Sequence, residues 1–476
     1  MKGGLLVTAA IVVSLAEVQN QGSVTAAQTQ EGVPTFAKHV APILYKSCVT
    51  CHRAGEVAPM SLISYDEVRP WARAIKQKVV SRQMPPWLAD PHFSDLKFQN
   101  DRSLTQMEID TVAAWADHGA PKGSDADLPP VPQFGAGWKF GEPDYVVKMP
   151  AAYDLPAEGQ IDYLSFYIPV PFNHDVFVEK IEMKPSNKAV VHHETGWAVT
   201  LRDDIKLVDG KPYSLDGKPL DKNQVRPKGT SVFESQGMSK LICYVPGRGY
   251  EEHRPGTAKR IAAGKNQYIQ FDVHYQPSGK PEKDQSEIGL WFSRTPVTHE
   301  VITEMVGGGA DGTRIVEGRE PPSELVTVNG VERRRTKIPN IPPYAENWAI
   351  TAITPIPEAI TLYGLSPHMH LRGKDMKYTI IYPDGRQHQI LSVPKYDFNW
   401  QLYYDLEQPL RIPAGSKIVA AGHYDNSTKN KYNPAPEKEV FWSEQSWDEM
   451  YEPYIEYSVD SRDLTRTTSS SRQQQQ

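Results

Sequence analysis

Two histidines with one residue between them, His368 and His370, lie in a stretch whose composition is typical of β-strands. Residues i and i+2 of a strand point to the same face, so these two imidazoles can chelate one metal ion if a third ligand comes from elsewhere. A polar histidine pair that binds no metal has the same spacing. The rest of the chain has to decide between the two interpretations.

Further short motifs supply the missing ligand types. His192 and His193 are adjacent, and His274 and Met450 each lie in a motif of their own. Adjacent residues of a regular strand face opposite ways, so joint binding by His192 and His193 requires a β-bulge or a strand end. Sorted by type, the residues give a three-histidine set (His192, His193, His274) and a set of two histidines and a methionine (His368, His370, Met450). A thioether is a soft ligand, so the second set favours copper, particularly Cu(I), over zinc.

A different motif near the N-terminus predicts a covalent cofactor. Cys48, Cys51 and His52 form C-x-x-C-H, the attachment signature of c-type haem. The two thiols would form thioethers to the haem and the histidine would become the proximal iron ligand. A redox-active cysteine pair or half a zinc site is the alternative, but no second C-x-x-C follows in the sequence.

A second axial ligand to the iron is expected downstream. Met84 is the preferred candidate because Pro85 and Pro86 fix its loop. A methionine opposite a histidine raises the reduction potential, as in electron-transfer cytochromes. Met60 and Met107 compete for this role, although a buried methionine is more often core filler.

The composition excludes several classes of protein. The 476 residues are enough for roughly three domains. With 52 Lys and Arg against 58 Asp and Glu, the net charge is −6, and nothing indicates a nucleic-acid partner. The three cysteines, Cys48, Cys51 and Cys243, are too few for a disulfide framework. The 40 prolines and 33 glycines are typical of β-rich domains with many turns.

The N-terminus is typical of an export signal. Lys2 precedes an apolar run from Leu5 to Ala16, and small residues suited to cleavage follow up to Ala27. The run is shorter than the ~20 residues of a membrane span. We expect no transmembrane span in the mature chain. The haem motif favours a bacterial periplasm as the location.

The remaining pattern predicts the domains. Residues 65–80 and 104–115 carry spaced apolar residues that predict helices. After residue 144, short apolar runs separated by Pro, Gly and Asn predict antiparallel sandwiches, with surface insertions at 203–228 and 307–339. The predicted segments are a signal peptide (1–27), a haem domain (32–123), a linker (124–143), two β domains (144–297 and 298–460) and a disordered tail (461–476).

Four motifs carry these residues: the His192-His193 pair, the motif of His274, the pair His368 and His370, and the motif of Met450. In this order they resemble the motifs of the copper type II, ascorbate-dependent monooxygenases, the family of peptidylglycine α-hydroxylating monooxygenase and dopamine β-monooxygenase. The resemblance covers about Asp144 to Val459. It implies that His192, His193 and His274 hold an electron-transfer copper. It also implies that His368, His370 and Met450 hold the copper that binds dioxygen and faces the substrate.

The N-terminal part resembles class I cytochrome c, and the fused arrangement is similar to bacterial members of the group. The fold class that these resemblances imply is multidomain. A small α-helical class I cytochrome c domain would precede a mainly-β region of two tandem jelly-roll sandwiches.

The resemblance implies a copper-dependent monooxygenase that hydroxylates a C–H bond of a small organic substrate with O2. It would contain two coppers and one covalent haem c. The family draws electrons from ascorbate, but the fused haem suggests a relay from a periplasmic donor protein to the three-histidine copper. The animal enzymes carry several disulfides and this chain has only Cys243 in the region, so its stability must come from core burial. No peptide-binding arginine or phenethylamine-recognition set of the family can be placed in the sequence, so the substrates of the animal enzymes are not carried over.

Other functions use similar residues. A periplasmic electron-transfer or copper-binding protein without hydroxylase activity could use the same ligands. A copper nitrite reductase would need a blue-copper Cys-His-Met cluster, and Cys243 has His253 downstream but no close methionine. His423 is interpreted as a structural group near the metal rather than a ligand.

Overall fold

A computed structural model describes residues 32–135, 137–220, 222–225, 238–308, 311–328, 331–443 and 445–466. The predicted signal peptide and most of the predicted tail lie outside these residues. Helices are few and short, and most of them precede residue 120. They are a π-helical turn Phe36–Val40, α1 Ala41–Ser47, α2 Tyr65–Val68, a 3₁₀ turn Arg69–Trp71, α3 Ala72–Val80, α4 Gln106–Asp117, a 3₁₀ turn Asp125–Asp127 and α5 Lys222–Val225.

The two predicted helical stretches are confirmed, and their starts have a local cause. Ser64 and Glu67 form a reciprocal capping box before α2, and Thr105 and Glu108 form another before α4. Each box satisfies backbone N–H groups that a helix start leaves without partners. The helices pack on a small core centred on the fully buried Trp115.

The chain between α3 and α4 leaves this helical core. Trp87 and Phe98 pack with Tyr404, at ring-centroid distances of 4.9 Å and 5.6 Å, in the core of the C-terminal half. The backbone follows the same course, since Gln99 N donates to Asp405 O at 2.8 Å. The N-terminal helices are therefore tied to residues three hundred positions away.

Residues 145–300 form the first β-rich half. A six-stranded sheet runs β1-β13-β4-β10-β14 with β9 beside β4, and a four-stranded sheet runs β3-β11-β5-β8. Both sheets contribute to one apolar core. The strands are β1 Tyr145–Lys148, β2 Tyr153–Leu155, β3 Leu164–Pro169, β4 Val176–Lys184, β5 Val191–Thr200, β6 Ile205–Val208, β7 Lys211–Ser214, β8 Met238–Tyr244, β9 Tyr250–Glu252, β10 Thr257–Ile261, β11 Gln267–Tyr275, β12 Glu282–Asp284, β13 Glu287–Phe292 and β14 His299–Glu300.

Residues 302–459 form the second β-rich half. A four-stranded sheet runs β15-β25-β20-β23 and a five-stranded sheet runs β16-β19-β24-β21-β22. These sheets also share an apolar core. The strands are β15 Ile302–Met305, β16 Thr313–Val316, β17 Ser323–Val328, β18 Val331–Thr336, β19 Trp348–Ile356, β20 Ile360–His368, β21 Gly373–Ile381, β22 Gln387–Val393, β23 Tyr404–Ile412, β24 Ser416–Tyr424 and β25 Glu452–Val459.

The structure contradicts the predicted fold class. The chain is mostly β, with four main sheets in a propeller-like arrangement rather than two tandem jelly-roll sandwiches. The described residues contain no helical domain like class I cytochrome c. Two physical reasons account for the difference. Short apolar runs predict strands but not which strands pair, and the segment around Trp87 and Phe98 packs on the distant β core instead of closing a helical domain.

Candidate metal centre

The three predicted histidines of the first half meet where β5 pairs with β11. His274 lies opposite His193, and the next residue, Tyr275, lies opposite Val191. His192 is therefore the extra residue of a β-bulge, as the adjacency of His192 and His193 requires. The bulge turns two consecutive imidazoles toward His274 on the neighbouring strand.

The three rings form a compact triad. Ligand nitrogens of His192, His193 and His274 all lie within 4.8 Å of one another. The Nδ1 atoms of His192 and His193 are 2.9 Å apart, and the three ring-centroid distances are 5.0–5.1 Å. Two nitrogens bound to one copper at ~2.0 Å would be separated by about 3 Å, so this spacing suits joint coordination.

The outer nitrogens of the triad have partners of their own. Tyr163 Oη contacts His193 Nε2, and Ser446 Oγ lies 3.5 Å from His274 Nε2. Asn399 hydrogen-bonds the His192 ring. His274 Nδ1 is buried and has no hydrogen-bond partner among the described residues. A ring whose Nε2–H is held by an acceptor presents Nδ1 to a metal, so the donor set fits a copper ion bound through Nδ1.

The triad is electrically neutral. Burial lowers the pKa of all three imidazoles, that of His274 to about 3, and the neighbouring histidines add to this effect for His193 and His274. A neutral imidazole is the form that binds a metal ion.

His368 ends β20 and His370 follows it, and the rings of this pair have the opposite orientation to those of the triad. His368 Nδ1–H donates to Gln401 Oε1 at 2.7 Å, and His370 Nδ1–H donates to the carbonyl of Asp448 at 3.2 Å. The two ring centroids are 5.2 Å apart. Because each Nδ1 has an acceptor, the pair presents Nε2 as the ligand nitrogen.

A buried carboxylate fixes the loop that carries His370. Glu449 accepts the backbone N–H of His370 at 2.8 Å and that of Arg372 at 2.6 Å, one on each oxygen. Burial raises the pKa of Glu449 to about 8, although these donors and the Arg372 guanidinium act in the opposite direction. The next residue is Met450, so the same contacts position the predicted thioether ligand.

Met450 and His368 line one cavity of about 110 Å³, which we call the central cavity. Met450 is 7% exposed and lies just before β25, whose first residue, Glu452, pairs with His368. Strand pairing therefore brings the methionine beside the histidine pair. His193 of the triad lines the same cavity.

Two residues stand between the histidine sets. The Phe398 ring lies 5.3 Å from His192 and 5.5 Å from His370, measured between ring centroids. The Gln401 amide contacts one histidine of each set, because its Nε2 lies 3.4 Å from His193 Nδ1. The two sets are consequently neighbours, and His193 and His368 are separated by 6.4 Å between centroids.

The N-terminal haem motif lies near the first β-rich half. His52 Nδ1 lies 3.3 Å from the carbonyl of Met60, which leaves Nε2 available. Burial raises the pKa of the Cys48 thiol to about 12. Cys51 Sγ abuts Gly247, where an added Cβ would come within 2.7 Å of it. Glu56 pairs with Lys188, just before β5, at 2.8 Å.

Met84 lines a separate cavity with Val79 and Leu104, whose lining includes neither cysteine of the motif nor His52. Met107 is 80% exposed and Met60 packs on the helical core. The role of Met84 as an axial ligand stays a prediction.

Two other residues singled out in the sequence have modest roles. His423 Nδ1 pairs with Asp375 at 2.7 Å on adjacent strands. Cys243 lines the central cavity and accepts a weak hydrogen bond from Thr195 at 3.6 Å. No helix among the described residues is long and apolar enough to cross a membrane.

Sequence reasoning missed Tyr163, Phe398, Gln401 and Glu449. Each is a single residue outside the repeated His and Met motifs, and none has a spacing that marks it. Only Glu449 carried a signal, because it directly precedes a predicted ligand.

The comparison with protein families concerns the C-terminal half of the chain. Residues 335–475 match the copper type II ascorbate-dependent monooxygenase, C-terminal domain. The matched region contains His368, His370 and Met450. This domain implies a copper- and ascorbate-dependent monooxygenase family, and the triad of the first half is a second group able to hold a metal.

Other comparisons add little. No curated protein matches the chain. Among solved structures, PNGF-II is 10% identical with a TM-score of 0.26; the match covers 66% of this chain and 65% of that one. A xanthan lyase from Paenibacillus is 10% identical with a TM-score of 0.18, over 67% of this chain and 25% of the other. This chain thus spans less than two thirds of either protein, and similarities at this level carry no argument about its fold.

Proposed function

We propose that this protein is a copper-dependent monooxygenase that hydroxylates a C–H bond of a small organic substrate with O2. The observation that carries the proposal is that the two histidine sets have opposite ring orientations and that one histidine of each, His193 and His368, lines the same cavity. The triad presents Nδ1 atoms and the family-matched pair presents Nε2 atoms beside Met450. Two distinct metal environments beside one cavity suit a reaction that needs an electron-supplying site and an oxygen-binding site.

Each half of the chain has a defined role in this proposal. His192, His193 and His274 would hold one copper, and His368, His370 and Met450 the other. Copper would supply one-electron chemistry and O2 activation when bound, and two coppers would match the two electrons that hydroxylation consumes. The neutral imidazoles suit both copper oxidation states, and the thioether favours Cu(I). Tyr163 and Gln401 orient the ligand rings, and the cavity would position the substrate.

Metal content tests this function directly. We expect two coppers per chain by elemental analysis. The His274→Ala variant should retain one, because only the triad is broken. Substrate-dependent O2 uptake that requires both coppers would establish a monooxygenase. Full copper occupancy without such uptake, over a broad substrate screen, would instead favour an electron-transfer or copper-binding protein.

We also propose that Cys48, Cys51 and His52 attach one haem c. The motif itself supports this, together with the His52 Nδ1 contact to the Met60 carbonyl, which leaves Nε2 for iron. A pyridine haemochrome spectrum of a c-type haem in the exported protein, abolished in Cys51→Ser, is the expected result. Cysteines that remain free after export with haem-maturation proteins would contradict it. Such export is itself part of the proposal, with the periplasm as the location.

The haem would relay electrons from a periplasmic donor to the triad copper. The motif is suited to this, because Cys51 abuts the loop of Gly247, whose neighbours Val245 and Arg248 line the central cavity. Reduced haem should be reoxidised faster in copper-loaded than in zinc-loaded protein. Equal rates in the two forms would rule out the relay without affecting the copper proposal.

A further inference from the structure

A small polar cavity lies directly beside the central cavity. It has a volume of about 30 Å³. Four residues, Arg248, Glu251, Tyr403 and Glu456, line both cavities, so a single layer of side chains separates them. A polar cavity of this size holds an ordered water. We call it the outer cavity.

The outer cavity extends toward the protein surface. Gln99 and Glu252 belong to its lining, and both are exposed. The lining of the central cavity includes His368 and Met450 of the second ligand set. The two cavities in succession therefore lead from the surface to the proposed oxygen-binding site.

Glu456 lies at the boundary of the two cavities. Its Oε1 accepts a hydrogen bond from Tyr403 Oη at 3.0 Å and lies 3.9 Å from His253 Nδ1. Its Oε2 accepts from Lys259 Nζ at 3.0 Å and from Thr303 Oγ1 at 3.4 Å. Because the buried lysine keeps this carboxylate ionised, the carboxylate can hold an added proton only in passing.

His253 lies on the outer side of this carboxylate. Its side chain is 4% exposed and lines the outer cavity. Its Nε2 is buried and has no hydrogen-bond partner among the described residues. Nδ1 thus faces Glu456, and Nε2 is left for water in the outer cavity. Histidine is the side chain that gains and loses a proton most readily near neutral pH.

The proposed reaction consumes protons as well as electrons. Hydroxylation converts R–H, one O2, two electrons and two protons into R–OH and one water. The proposed function assigns a source to the electrons, whereas the two protons have to enter the central cavity from solvent. A buried histidine next to a buried carboxylate, at the boundary of that cavity, is suited to carry them.

We propose that His253 and Glu456 form a proton-uptake route from the surface to the central cavity. The inference rests on the proposed function, which consumes the protons. A proton from solvent binds His253 Nε2, and the charged ring moves its Nδ1–H toward Glu456 Oε1. The proton on Nδ1 passes to Oε1, and Glu456 releases it to water in the central cavity. Rotation of the ring then restores the starting state, and two such events serve one hydroxylation.

Proton uptake can be measured without any substrate. Copper-loaded, fully reduced protein is mixed with O2 in weakly buffered solution that contains a pH indicator. One O2 takes two electrons from the two reduced coppers and two protons from solvent, and becomes hydrogen peroxide. The haem contribution is common to all variants. His253→Ala should slow the uptake about tenfold or more.

His388→Ala is the matched control. It removes a histidine that pairs with the exposed Asp95 and lines neither cavity. Its uptake should equal that of the wild-type protein. Equal uptake rates in the His253 and His388 variants would overturn the proposal.

Chemical rescue separates proton transfer from a structural role. Removal of the His253 ring leaves room for a small heterocycle. Imidazole in solution should restore the uptake in His253→Ala, whereas pyrazole, a ring of the same size that is a far weaker base, should not. Rescue by both rings would mean that His253 only fills space. That result, or rescue by neither, would overturn the proposal.

The pH dependence gives an independent readout. Burial lowers the pKa of His253; Lys259 and Arg248 add to this effect, and Glu456 and Glu251 oppose it. As the pH falls below 6.5, uptake should therefore accelerate more steeply in the wild-type protein than in His253→Ala. Parallel profiles would overturn the proposal. The charged and titratable groups around the ring are Arg248, Glu251, Glu252 and Arg254 of its own stretch of chain, Lys259 of β10, Tyr363 of β20, Tyr403 and Asp405 at the start of β23, and Glu456 of β25.

Glu456→Gln tests the second step of the route. Glutamine keeps the shape of the side chain but cannot take up the proton. Uptake should again be slow, and imidazole should not restore it, because the block lies beyond the ring. Normal uptake in Glu456→Gln would overturn the proposal.

These outcomes separate the inference from the proposed function. Uptake that depends on His253, in a protein that hydroxylates no substrate, would support the route and remove the monooxygenase. Substrate-dependent O2 consumption with normal proton uptake in His253→Ala would do the reverse.

Discussion

At the scale of single residues, the two histidine sets differ in which ring nitrogen the surrounding residues hold. In the triad, Tyr163 and Ser446 hold Nε2 of two rings, whereas Gln401 and a backbone carbonyl hold Nδ1 of the pair. The partner of the outer nitrogen fixes both the tautomer and the angle of each ring. The residue that contacts the outer nitrogen, rather than the histidine itself, thus decides which ring nitrogen can bind a metal.

Tyr163 is the clearest of these neighbours. Its Oη contacts His193 Nε2 and its ring stacks on His274, with centroids 5.0 Å apart. Replacing it with phenylalanine keeps the stacking and removes the acceptor. We expect Tyr163→Phe to weaken copper binding at the triad about tenfold or more in competition titrations. Tyr153→Phe, a tyrosine stacked on Tyr275 within the same half, serves as the control and should change nothing.

The thioether of Met450 can be separated from its bulk. Leucine has nearly the same volume, so Met450→Leu should fold and lose only the soft ligand. We expect weaker Cu(I) binding at the second site with Cu(II) binding less affected. Met369, which lies between His368 and His370 but is fully buried in the core, provides the matched control. Loss of Cu(I) affinity in Met369→Leu but not in Met450→Leu would contradict the assignment.

Sequence reasoning could single out the candidate ligand residues but not their neighbours. Histidines and a methionine in short motifs are visible because metal sites need those residue types. Phe398 and Gln401 are ordinary residues that become important only because the second half folds against the first.

At the scale of elements, two irregularities of the strands build the site. The bulge at His192 brings adjacent histidines into one triad. The requirement for a bulge followed from the sequence, because two neighbours on a regular strand cannot share a metal. The loop after β20 depends instead on Glu449, seventy-nine residues away, and a contact of that range has no local signal.

Glu449 therefore offers a test of the loop. Glu449→Ala leaves the buried N–H groups of His370 and Arg372 without acceptors, which should cost about 2–4 kcal/mol of unfolding free energy. The variant should also bind less copper at the second site while the triad remains filled. Glu437→Ala, an exposed residue in the same half, is the control in denaturant unfolding and metal analysis. Loss of both coppers together would contradict a local role.

At the scale of the whole molecule, a buried ionic network joins the two β-rich halves. Lys259 on β10 is 1% exposed and pairs with Glu251 at 2.9 Å and with Glu456 on β25 at 3.0 Å. Tyr403 also donates to Glu456 at 3.0 Å. Because Lys259 and Glu456 each have hydrogen-bonding partners of the right kind, these charges can be buried between the halves.

Breaking this network should destabilise the contact between the two halves. Glu456→Gln leaves Lys259 with one carboxylate, and we expect a loss of about 3 kcal/mol in denaturant unfolding. Glu252→Gln, in an exposed pair with Lys180, should cost less than about 1 kcal/mol. A similar small effect in both variants would show that the buried pair contributes no net stability.

The same network predicts a pH dependence. Burial opposes ionisation of Glu456, but Lys259 and His253 outweigh it and lower its pKa from 4.5 to about 2. A lowered folded pKa means stability that is present above pH 4.5 and lost as the pH falls toward 2. In thermal unfolding across that range, the wild-type protein should lose more stability than Glu456→Gln. Parallel curves would exclude Glu456 as the cause.

The fold as a whole was the least predictable part. The β character, the helical stretches predicted at 65–80 and 104–115, and the positions of the strands that carry the histidines follow from local patterns. The arrangement of the four sheets does not, because it depends on pairings such as β1 with β13 that are far apart in the chain. The segment around Trp87, which follows the predicted axial ligand Met84, packs on Tyr404 of the distant C-terminal half.

The placement of Ser446 and Asn399 has a consequence for maturation. The triad takes its three ligands from the first half and two of its three ring-orienting partners from the second. Tight capture of the proposed copper would then be a late event in biogenesis, because it awaits synthesis of nearly the entire chain. The metal content that remains after purification would then report correct assembly. Truncated or misassembled molecules would lose their metal first.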